Sequence, residues 1–568
     1  MATQVDFDAI VVGSGITGGW AAKELTQRGL KVLMLERGRN IEHGRDYGTE
    51  LKSPWELPFR GFGDAKQFAE DYPIWRKKPF LDEWTAGHFV KDREHPYQAG
   101  GDQPFLWYRS YQLGGRSLTW GRQSLRMAPH DFEANARDGH GVDWPLRYAD
   151  LAPWYDKVEE FVGVSGSQEG LPQLPDGRFQ PPMGLNAVEK HLKAQIEATH
   201  PERRLIIGRT ANLTKALDGQ ARSPCNYRNV CRRGCSFGAY FSTQSSTLPA
   251  ARGTGNLTLL TDALVESVEY DRATGRATGV KVRHTRESRS ATYSGKLIFL
   301  CASTINSVAV LLRSVSETFP SGMANSSGTL GHYLMDHAST LAGRAVFEGF
   351  QDRYYFGNRP NSVLIPRFQN LAGASTADFL RGYQYQGLAV RRGWHRGLNQ
   401  PGLGQDFKAR LRSPGEWAMV LVVFAECLPQ ARNRITLHPT AKDADGLAQI
   451  SIDFAYGDNE RRMLIHAEKE ARSMLESAGG RVTDSQTTPD PGGSSIHECG
   501  GARMGRDPRT SVLNAHNQAH DVPNLFVTDG AAMASSGCQN PSLTYMALTA
   551  RACEFAVEEL RTGRLSAS

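Results

Sequence analysis

The sequence predicts an α/β protein in which a discontinuous Rossmann-type nucleotide-binding domain carries an inserted domain made of a sheet and a helix. Three observations predict this fold: a glycine-rich turn between a strand and a helix near the N-terminus, strand-like runs between residues 340 and 455, and an amphipathic helix after them. A chain of 568 residues is long enough for two such domains.

The composition excludes two classes of partner. Hydrophobic residues make up 40% and charged residues 22% of the chain, as in an ordinary globular protein. The net charge of +6 is mild and not gathered as a nucleic-acid site requires, so we expect no nucleic-acid partner. The longest apolar stretch, Trp417 to Ala425, is about half of what a membrane-spanning helix needs, so we expect no transmembrane segment.

The N-terminus predicts no signal peptide on this chain. Met1 to Asp6 contains an acidic residue and no basic one, and a strand begins directly afterwards. A signal peptide needs a basic start, a longer apolar segment and a cleavage site. We therefore expect either a cytoplasmic protein or one exported already folded by a partner that holds the signal.

The first 36 residues are typical of a dinucleotide-binding βαβ unit. Phe7 to Val12 is a short buried strand, and the glycine-rich turn Gly13–Gly18 follows it directly. An amphipathic helix then leads to a second strand, Lys31 to Leu35, with Glu36 at its end. This context makes the GxGxxG pattern specific, because the motif alone is weak.

The three glycines and the glutamate of this unit each have a physical role. Gly13 makes the tight turn, Gly15 lets the backbone approach a pyrophosphate, and Gly18 allows close packing of helix against strand. The pyrophosphate would rest on the helix N-terminus. Glu36 would accept hydrogen bonds from a ribose diol. The motif does not by itself decide between FAD and NAD.

Four separated segments carry a family resemblance. They are Glu36–Gly38, Leu113–Gly121, Gly331–His337, and a C-terminal part with His497–Gly505, Asn524–Gly530 and Asn540–Thr544. In this order they resemble the glucose–methanol–choline (GMC) oxidoreductases, which implies FAD as the cofactor. The resemblance places these residues at FAD: Gly13, Gly15, Gly18, Glu36, Arg37, Gly114, Gly115, Ser117, Thr119, Asp529, Asn540, Pro541 and Thr544.

The resemblance also implies a catalytic pair, His497 and Asn540. A histidine that titrates near neutral pH suits removal of a hydroxyl proton while a hydride leaves the neighbouring carbon for flavin N5. Asn540 cannot be a base, but it can hydrogen-bond the substrate oxygen and stabilise developing alkoxide charge. His337, in the Asp336-His337 motif, is expected to be structural.

The loop from Gly114 to Gln123 resembles that of pyranose oxidases and their bacterial sugar-dehydrogenase relatives. Pyranose oxidases carry a histidine before the tryptophan and bond it covalently to the flavin. Thr119 stands at that position here, so we expect non-covalent FAD.

Three cysteines, Cys225, Cys231 and Cys235, are crowded in one segment. Their spacing resembles the three-cysteine site of bacterial FAD-dependent glucose and gluconate dehydrogenases, which implies a [3Fe-4S] cluster. We expect three nearby arginines to offset its negative charge: Arg228, Arg232 and Arg233. A zinc site is less suitable, because zinc would need a fourth ligand. The segment departs from the usual cluster pattern at Ser236, where such sites often have proline. The alternative is that the three cysteines are free thiols without a metal.

Two segments, Pro224 to Ala250 and Arg116 to Arg126, look most like the catalytic subunit of glucoside 3-dehydrogenases. This resemblance implies oxidation of the C3 hydroxyl of glucose or glucosides to 3-keto sugars, a small helper subunit that carries the export signal, a periplasmic location by co-export and a cytochrome c-type electron acceptor. We expect Gln539 to hydrogen-bond the sugar hydroxyls.

Other interpretations stay open at this point. The chain could be an oxygen-using glycoside or pyranose oxidase without a cluster, a non-catalytic FAD-binding redox sensor, or an NAD-dependent dehydrogenase. The sequence does not distinguish C3 from C2 oxidation, and it identifies neither the sugar nor the electron acceptor.

The expected domain boundaries follow from the runs of strand and helix. The FAD-binding domain takes residues 1–165, then 206–335 with a cysteine loop at 222–240, and finally 481–568. Residues 166–205 are a connecting segment or part of the substrate domain, and residues 336–480 form the substrate domain. Within them we expect a β-hairpin region over Thr258–Tyr270 and Gly279–His284, further strands, and a helix capped by Asp458 that stops at Gly479. The further strands are Lys296–Leu300, Leu341–Phe347, Trp417–Glu426 and Ile450–Phe454.

Overall fold

The structure is a computed structural model. It describes residues 6–74, 81–100, 103–287, 289–350, 353, 359–371, 378–393, 396–397 and 400–565. Residues 1–5 lie outside this part, so the expectation for the N-terminal segment stays a prediction.

The described residues form sixteen strands. In chain order they are β1 Phe7–Val12, β2 Val32–Leu35, β3 Gln98–Gly100, β4 Ile206–Ile207, β5 Leu257–Leu260, β6 Ala263–Asp271, β7 Arg276–His284, β8 Arg289–Leu300, β9 Ala338–Phe347, β10 Val363–Ile365, β11 Tyr383–Arg391, β12 Trp417–Ala425, β13 Arg434–Lys442, β14 Ala448–Asp453, β15 Arg481–Asp484 and β16 Leu525–Val527.

Ten α-helices lie in the same described ranges. They are α1 Ile16–Gln27, α2 Ala65–Asp71, α3 Pro129–Asp138, α4 Tyr148–Val162, α5 Ala187–Thr199, α6 Thr247–Arg252, α7 Thr304–Arg313, α8 Gly404–Arg412, α9 Asp458–Ser477 and α10 Ser542–Arg561. No helix of the described part is both long and apolar enough to cross a membrane.

The nucleotide-binding domain is built on a seven-stranded sheet. Its parallel part has the order β5–β2–β1–β8–β16, and β6 and β7 extend the sheet antiparallel from β8. Helix α1 makes the crossover from β1 to β2 and packs against α10. The predicted discontinuous Rossmann-type domain is confirmed.

Strand β1 shows why this sheet is central. Ala9 and Val11 pack on the face covered by α1, α6 and α10, whereas Ile10 and Val12 face the large core shared with the rest of the molecule. All four side chains are buried. A strand buried on both faces reads as a continuous apolar run, and this is typical of parallel sheets.

The inserted domain is an antiparallel sheet with the order β15–β9–β12–β11–β10–β4. Helix α9 packs on one face, and α5 packs against α9. In β12, Met419, Leu421 and Val423 are fully buried, while the alternate residues Val422 and Phe424 are only partly covered. The sheet therefore presents its second face to a cavity. A smaller sheet, β13–β14–β3, lies beside it.

Several element boundaries differ from the sequence prediction. The run from Thr258 to Tyr270 is two strands, because Asp262 adopts a left-handed φ of 54° and β5 pairs in parallel with β2. Helix α9 begins at Asp458 itself, and Gly457 is its cap, with its N–H donating to Glu460 at 2.7 Å. The predicted stop is borne out by Gly479, whose φ is 76°.

The predicted strands are found, but most of them are longer or shorter by a few residues. The strand expected from Lys296 is the end of β8, whose first half continues the β7 hairpin. β4 lies in the six-stranded sheet although residues 206 onward were assigned to the FAD domain, and β15 pairs with β9 although it follows residue 480. Short edge strands add to a sheet through backbone hydrogen bonds and leave little periodic signal.

Candidate active site

One large cavity, about 980 Å³ in volume, lies between the two domains. Its walls come from the β1–α1 turn, the loop around residues 107–123, segments 494–498 and 540–542, and the open faces of β11 and β12. Almost every segment in which the sequence predicted a site residue contributes to this cavity.

The glycines of the β1–α1 turn have the predicted geometry. A Cβ on Gly18 would lie 1.9 Å from the carbonyl oxygen of Gly13, so only glycine permits this close packing. Gly13 has a φ of 95°, in the region that favours glycine. Gly15 has no atom within 4 Å of its Cβ position and lines the cavity, so a bulky group can approach its backbone.

Glu36 and Arg37 directly follow strand β2, and both line the cavity. Glu36 accepts hydrogen bonds from the N–H groups of Ser14 at 3.1 Å and Gly38 at 2.8 Å. Burial raises the pKa of the Glu36 carboxyl, and these hydrogen bonds oppose that rise. Arg37 stacks over Tyr111 at 3.7 Å and forms an ion pair with Asp445 at 2.7 Å.

The second glycine-rich loop closes over the first. Gly114 has a φ of 89°, and its N–H donates to the Ser14 hydroxyl at 2.9 Å. A short 3₁₀-helix follows at Gly115–Leu118, and Gly115, Ser117 and Thr119 line the cavity. Gly114 and Gly18 support these loops without lining the cavity themselves.

The C-terminal segments complete the wall. Asp529 lines the cavity, and burial raises the pKa of its carboxyl to about 6. Asn540 and Pro541 also line it, directly before the N-terminus of α10. A helix N-terminus facing a cofactor ring favours developing negative charge there.

Besides Gly18 and Gly114, two further residues predicted to bind cofactor or substrate do not line the cavity. The Gln539 amide donates to Asp131 at 2.9 Å, and its side chain is buried on the other side of the segment. The Thr544 hydroxyl pairs with Tyr155 at 2.8 Å, inside the core. Consecutive residues at a helix start point in different directions, so the neighbourhood of Asn540 in sequence is a poor guide to the cavity.

His497 and Asn540 meet in the wall of the cavity. The Nδ2 atom of Asn540 lies 3.0 Å from Nε2 of His497. Both residues line the cavity. Burial first, and the neighbouring His337 and Arg116 second, lower the pKa of the His497 imidazole well below its ordinary value. A histidine of low pKa is unprotonated at neutral pH and can accept a proton.

His337 contacts this pair, although the sequence indicated a structural role. Its Nδ1 atom lies 2.8 Å from Nδ1 of His497, and its Nε2 atom lies 2.8 Å from the carbonyl oxygen of Gly537. Burial lowers the pKa of His337 to about 4. The signal that pointed to it was its place in the Gly331–His337 motif.

Two further residues act on the pair, and the sequence analysis missed them. The Gln386 amide, on β11, donates to the Oδ1 atom of Asn540. The Phe424 ring, on β12, lies 5.7 Å from the His497 ring. Only the alternation of their strands marks them, and alternation does not say which face meets the cavity.

A charged network lies behind His497. Arg116 pairs with Glu498 through two hydrogen bonds of 3.0 and 2.8 Å. Asp336 accepts from the N–H groups of His497 at 3.0 Å and Gly493 at 2.8 Å. Burial, and then the nearby charge of Glu498, raise the pKa of Asp336 to about 7.

The cysteine loop adjoins the same cavity. Cys225, Cys231 and Cys235 are free thiols that share the walls of a small cavity of about 20 Å³. Cys231 also lines the large cavity. Burial raises the pKa of the Cys225 thiol.

The three arginines of the loop differ in position. Arg228 donates to Cys235 Sγ at 3.7 Å and pairs with Glu50 at 2.6 Å. Arg232 lines the large cavity, and Arg233 stacks over Trp84 at 4.0 Å. One arginine therefore touches a thiol directly, while the other two lie around the loop.

Two hydrogen bonds connect the segment after the cysteines to the glycine-rich loop. The Tyr240 hydroxyl donates to the Leu118 carbonyl at 2.6 Å, and the Trp120 indole N–H donates to the Phe241 carbonyl at 2.9 Å. The cysteine loop and the 3₁₀-helix at the cavity are thus held in one unit.

Comparison with known proteins agrees with this architecture. The sequence matches the GMC oxidoreductase family over residues 7–339 and again over residues 429–549. The chain belongs to this family. As a GMC oxidoreductase it is an FAD-dependent enzyme acting on CH–OH groups.

Similar proteins cover the whole chain at low identity. The chain is 27% identical to 2-methyl-1,2-propanediol dehydrogenase of Mycolicibacterium austroafricanum, over 98% of this chain and 96% of that protein. It is 25% identical to the fructose dehydrogenase large subunit of Gluconobacter japonicus, over 98% of each. The crystal structure of pyridoxine 4-oxidase from Mesorbium loti shares the GMC fold, with a TM-score of 0.60 at 16% identity, over 97% of this chain and 99% of that one.

The cavity suits the cofactor that the GMC family implies. Open space at Gly15 and the N-terminus of α1 fit a pyrophosphate. The acceptor Glu36 and the segment Asn540–Pro541 line the same cavity as this turn, so an extended ligand could contact all three. FAD is a large, extended molecule, and the cavity volume of about 980 Å³ is large enough to hold it.

Proposed function

We propose that this GMC oxidoreductase is a sugar dehydrogenase that oxidises a secondary hydroxyl of glucose or a glucoside, at C3, to a keto sugar. The observation that carries the proposal is the contact of His497 Nε2 with Asn540 Nδ2, 3.0 Å apart in the cavity wall. Because the two atoms lie side by side in the cavity wall, one substrate hydroxyl can contact both the base that takes its proton and the donor that binds its oxygen.

In this proposal the chain's own residues handle the proton and the oxygen. His497 Nε2 accepts the hydroxyl proton, and its lowered pKa keeps it ready to do so at neutral pH. The Asn540 amide N–H donates to the substrate oxygen and stabilises the negative charge that forms on it. FAD would be held by the residues around Gly15 and Asn540 and would supply the hydride acceptor.

Support for a sugar comes from the relatives and from the cavity wall. The fructose dehydrogenase large subunit is among the similar proteins, and fructose is a sugar. On the inserted domain the wall combines apolar positions, such as Val422, with polar ones, such as Ser339, Gln386 and Asn361. A polyol needs both, because its hydroxyls require partners while its ring C–H groups pack on apolar surface. The C3 position rests on the resemblance of segments 116–126 and 224–250 to glucoside 3-dehydrogenases.

We further propose that Cys225, Cys231 and Cys235 bind a [3Fe-4S] cluster that takes electrons from the flavin. Three thiolates are the soft ligands that such a centre requires, and Arg228 adds a positive charge beside Cys235. The position of Cys231 on both cavities, and the hydrogen bonds from the loop to Leu118 and Trp120, support a route between the two sites.

A partner subunit is proposed at the outer face of this loop. Exposed apolar side chains gather in the neighbouring segment 50–62, which Glu50 joins to the loop through Arg228 and Ser236. They are Leu51, Trp55, Phe59 and Phe62, with Phe237 of the loop itself. Trp55 is 73% and Phe62 67% exposed, and clustered aromatics of this kind mark protein–protein interfaces. A small helper subunit fits this surface, and a c-type cytochrome is the proposed final acceptor.

The proposal is tested by absorption and EPR spectra of the purified protein before and after anaerobic addition of methyl glucoside. Bleaching of the flavin bands together with a change in an iron–sulfur signal is the expected result, and the product should be a 3-keto glucoside by NMR. Flavin that bleaches without any iron signal, and recovers at once in oxygen, would indicate an oxidase. Flavin that no sugar bleaches would contradict the proposed function.

A further inference from the structure

We propose that His337 is a positioning residue that holds His497 in the one tautomer able to act as a base, with the proton on Nδ1 and an unprotonated Nε2. This inference rests on the proposed function, because it describes how the proton acceptor of that reaction is prepared. It follows from a chain of hydrogen bonds in which each partner fixes the proton of the next.

The chain starts at a group that can only accept. The Gly537 carbonyl oxygen lies 2.8 Å from Nε2 of His337. A carbonyl has no proton to give, so His337 must carry its proton on Nε2 and donate it there. Both groups are buried, and leaving either one without a partner would cost free energy.

The second nitrogen of His337 must then be unprotonated. A doubly protonated His337 would be a buried cation, and the charged groups around it give it no counter-ion: the Asp336 carboxylate is engaged with Gly493 and His497, while Glu498 is paired with Arg116. Burial accordingly lowers the pKa of His337 to about 4. At neutral pH its Nδ1 atom therefore presents a lone pair.

That lone pair selects the tautomer of His497. The two Nδ1 atoms are 2.8 Å apart, and one of them must donate. Because His337 has no proton at Nδ1, His497 must carry one there, and its Nε2 atom is left unprotonated, as an acceptor for Asn540. The opposite tautomer would set two lone pairs against each other and would put the proton on the nitrogen that faces Asn540.

Asn540 is fixed in the matching orientation. The Gln386 amide donates to its Oδ1 atom, so its Nδ2 atom faces His497 and donates to Nε2. The chain thus runs in one direction, from Gln386 through Asn540 to His497 and from His497 through His337 to Gly537. With both imidazole rings uncharged, no other assignment of protons satisfies every one of these contacts.

The same motif also places the His497 backbone. Asp336, next to His337, accepts the His497 N–H at 3.0 Å. The dipeptide Asp336-His337 therefore holds both the main chain and the ring of His497. An uncharged histidine in this role orients the base without the large rise in basicity that a carboxylate would cause, which agrees with the lowered pKa of His497.

The test compares His337→Phe, which removes the acceptor, with His337→Asn, whose Oδ1 atom can replace Nδ1. Anaerobic flavin bleaching by methyl glucoside gives the rate of the reductive step. We expect His337→Phe to lower this rate about 10²- to 10⁴-fold, as loss of a tautomer-fixing partner does in a comparable base. His337→Asn should recover most of it, and KM should change much less than kcat.

A pH profile separates positioning from simple damage. Without the acceptor the protonated form of His497 loses a hydrogen bond, so the acid limb of kcat/KM should move to lower pH in His337→Phe and return in His337→Asn. Flavin content and the melting temperature serve as folding controls, and His332→Phe, in the same motif but with its ring on the Ala431 carbonyl, is the matched control. We expect His332→Phe to behave like the wild type.

Several outcomes would overturn the inference. A His337→Phe variant with full flavin and a rate within about threefold of the wild type would do so. So would a folded His337→Asn variant as slow as His337→Phe. The proposed function would fail in a different way. In that case His497→Ala would still oxidise the sugar, or the wild type would not oxidise it at all.

Discussion

The region of His337, His497 and Asn540, here called the catalytic end, and the cysteine loop adjoin the same cavity but are built in opposite ways. At the catalytic end, the polar side-chain atoms of His337, His497 and Asn540 all have a partner of fixed direction. In the cysteine loop, Cys225 and Cys231 are only half-buried, and Tyr227 and Asn229 hold left-handed φ values of 55° and 56°.

The difference shows which part of the site the protein preorganises by itself. A network of satisfied hydrogen bonds holds His497 and Asn540 in place without any ligand, and preorganisation of this kind can supply a large part of an enzyme's rate. The cavity between the thiols, about 20 Å³, has room for little more than a water molecule. The proposed cluster would therefore have to open the loop, so that its binding and local folding would be coupled there.

The largest effect is expected at the catalytic end. His497→Ala removes the proton acceptor, so the rate of anaerobic flavin bleaching by methyl glucoside should fall about 10³- to 10⁴-fold. Flavin and iron content should stay at wild-type levels, because the loop and the nucleotide end are untouched. A variant that bleaches at the wild-type rate would show that another group takes the proton.

A smaller loss is expected for Asn540→Ala. This change removes the donor to the substrate oxygen but leaves the base, so the bleaching rate should fall about 10²- to 10³-fold. Gln386→Met removes only the group that orients Asn540, and we expect a weaker loss from it. Equal losses in the two variants would mean that Asn540 acts mainly through its place in the network.

The cysteine loop should respond in the reverse manner. Cys231→Ala should leave the bleaching of flavin by sugar unchanged while turnover with a cytochrome acceptor falls about 10- to 100-fold and the iron signal is lost. Cys553→Ala, a buried cysteine in α10 on the far face of the sheet, is the matched control and should do neither. Loss of sugar-driven bleaching in Cys231→Ala alone would join the two regions into one catalytic unit.

The sequence predicted the parts of the site that rest on local geometry. Gly13, Gly15 and Gly18 were predicted from the backbone shapes that a βαβ turn demands, and the resemblance to the GMC family supplied His497 and Asn540. The sequence could not place Gln539 or Thr544, because the direction of a side chain at a helix start depends on what packs around it. Both were assigned to the cavity, and both point into the core.

The residues that the sequence missed act through long-range contacts. Gln386 comes from the inserted sheet, more than 150 positions from Asn540 in the chain, and its strand pattern alone does not tell which face meets the cavity. His337 was recognised as part of a motif, but its partner lies 160 positions away. Tertiary packing decides such pairings, and it also added β4 and β15 to the sheet beyond their predicted domain boundaries.

The smallest expected effect concerns stability at the catalytic end. Burial raises the pKa of Asp336 to about 7, well above the ordinary aspartate value of 3.8. Between these values the folded protein holds a proton that the unfolded chain has released, so this group's contribution to stability is present at low pH and is lost as the pH rises towards 7.

Such a shift corresponds to on the order of 4 kcal/mol. Asp336→Asn removes this titration, so the melting temperature of the FAD-bound variant should depend less steeply on pH between 5 and 8 than that of the wild type. Asp529, whose pKa is also raised, to about 6, stays in both proteins and keeps part of the slope. Parallel curves for the two proteins would mean that Asp336 is ionised throughout this range and that Arg116 or a bound cofactor compensates its charge. In that case charge as well as hydrogen bonds would stabilise the network around His497. The catalytic end would then resemble the cysteine loop in one respect, because an arginine would offset a negative charge in both regions.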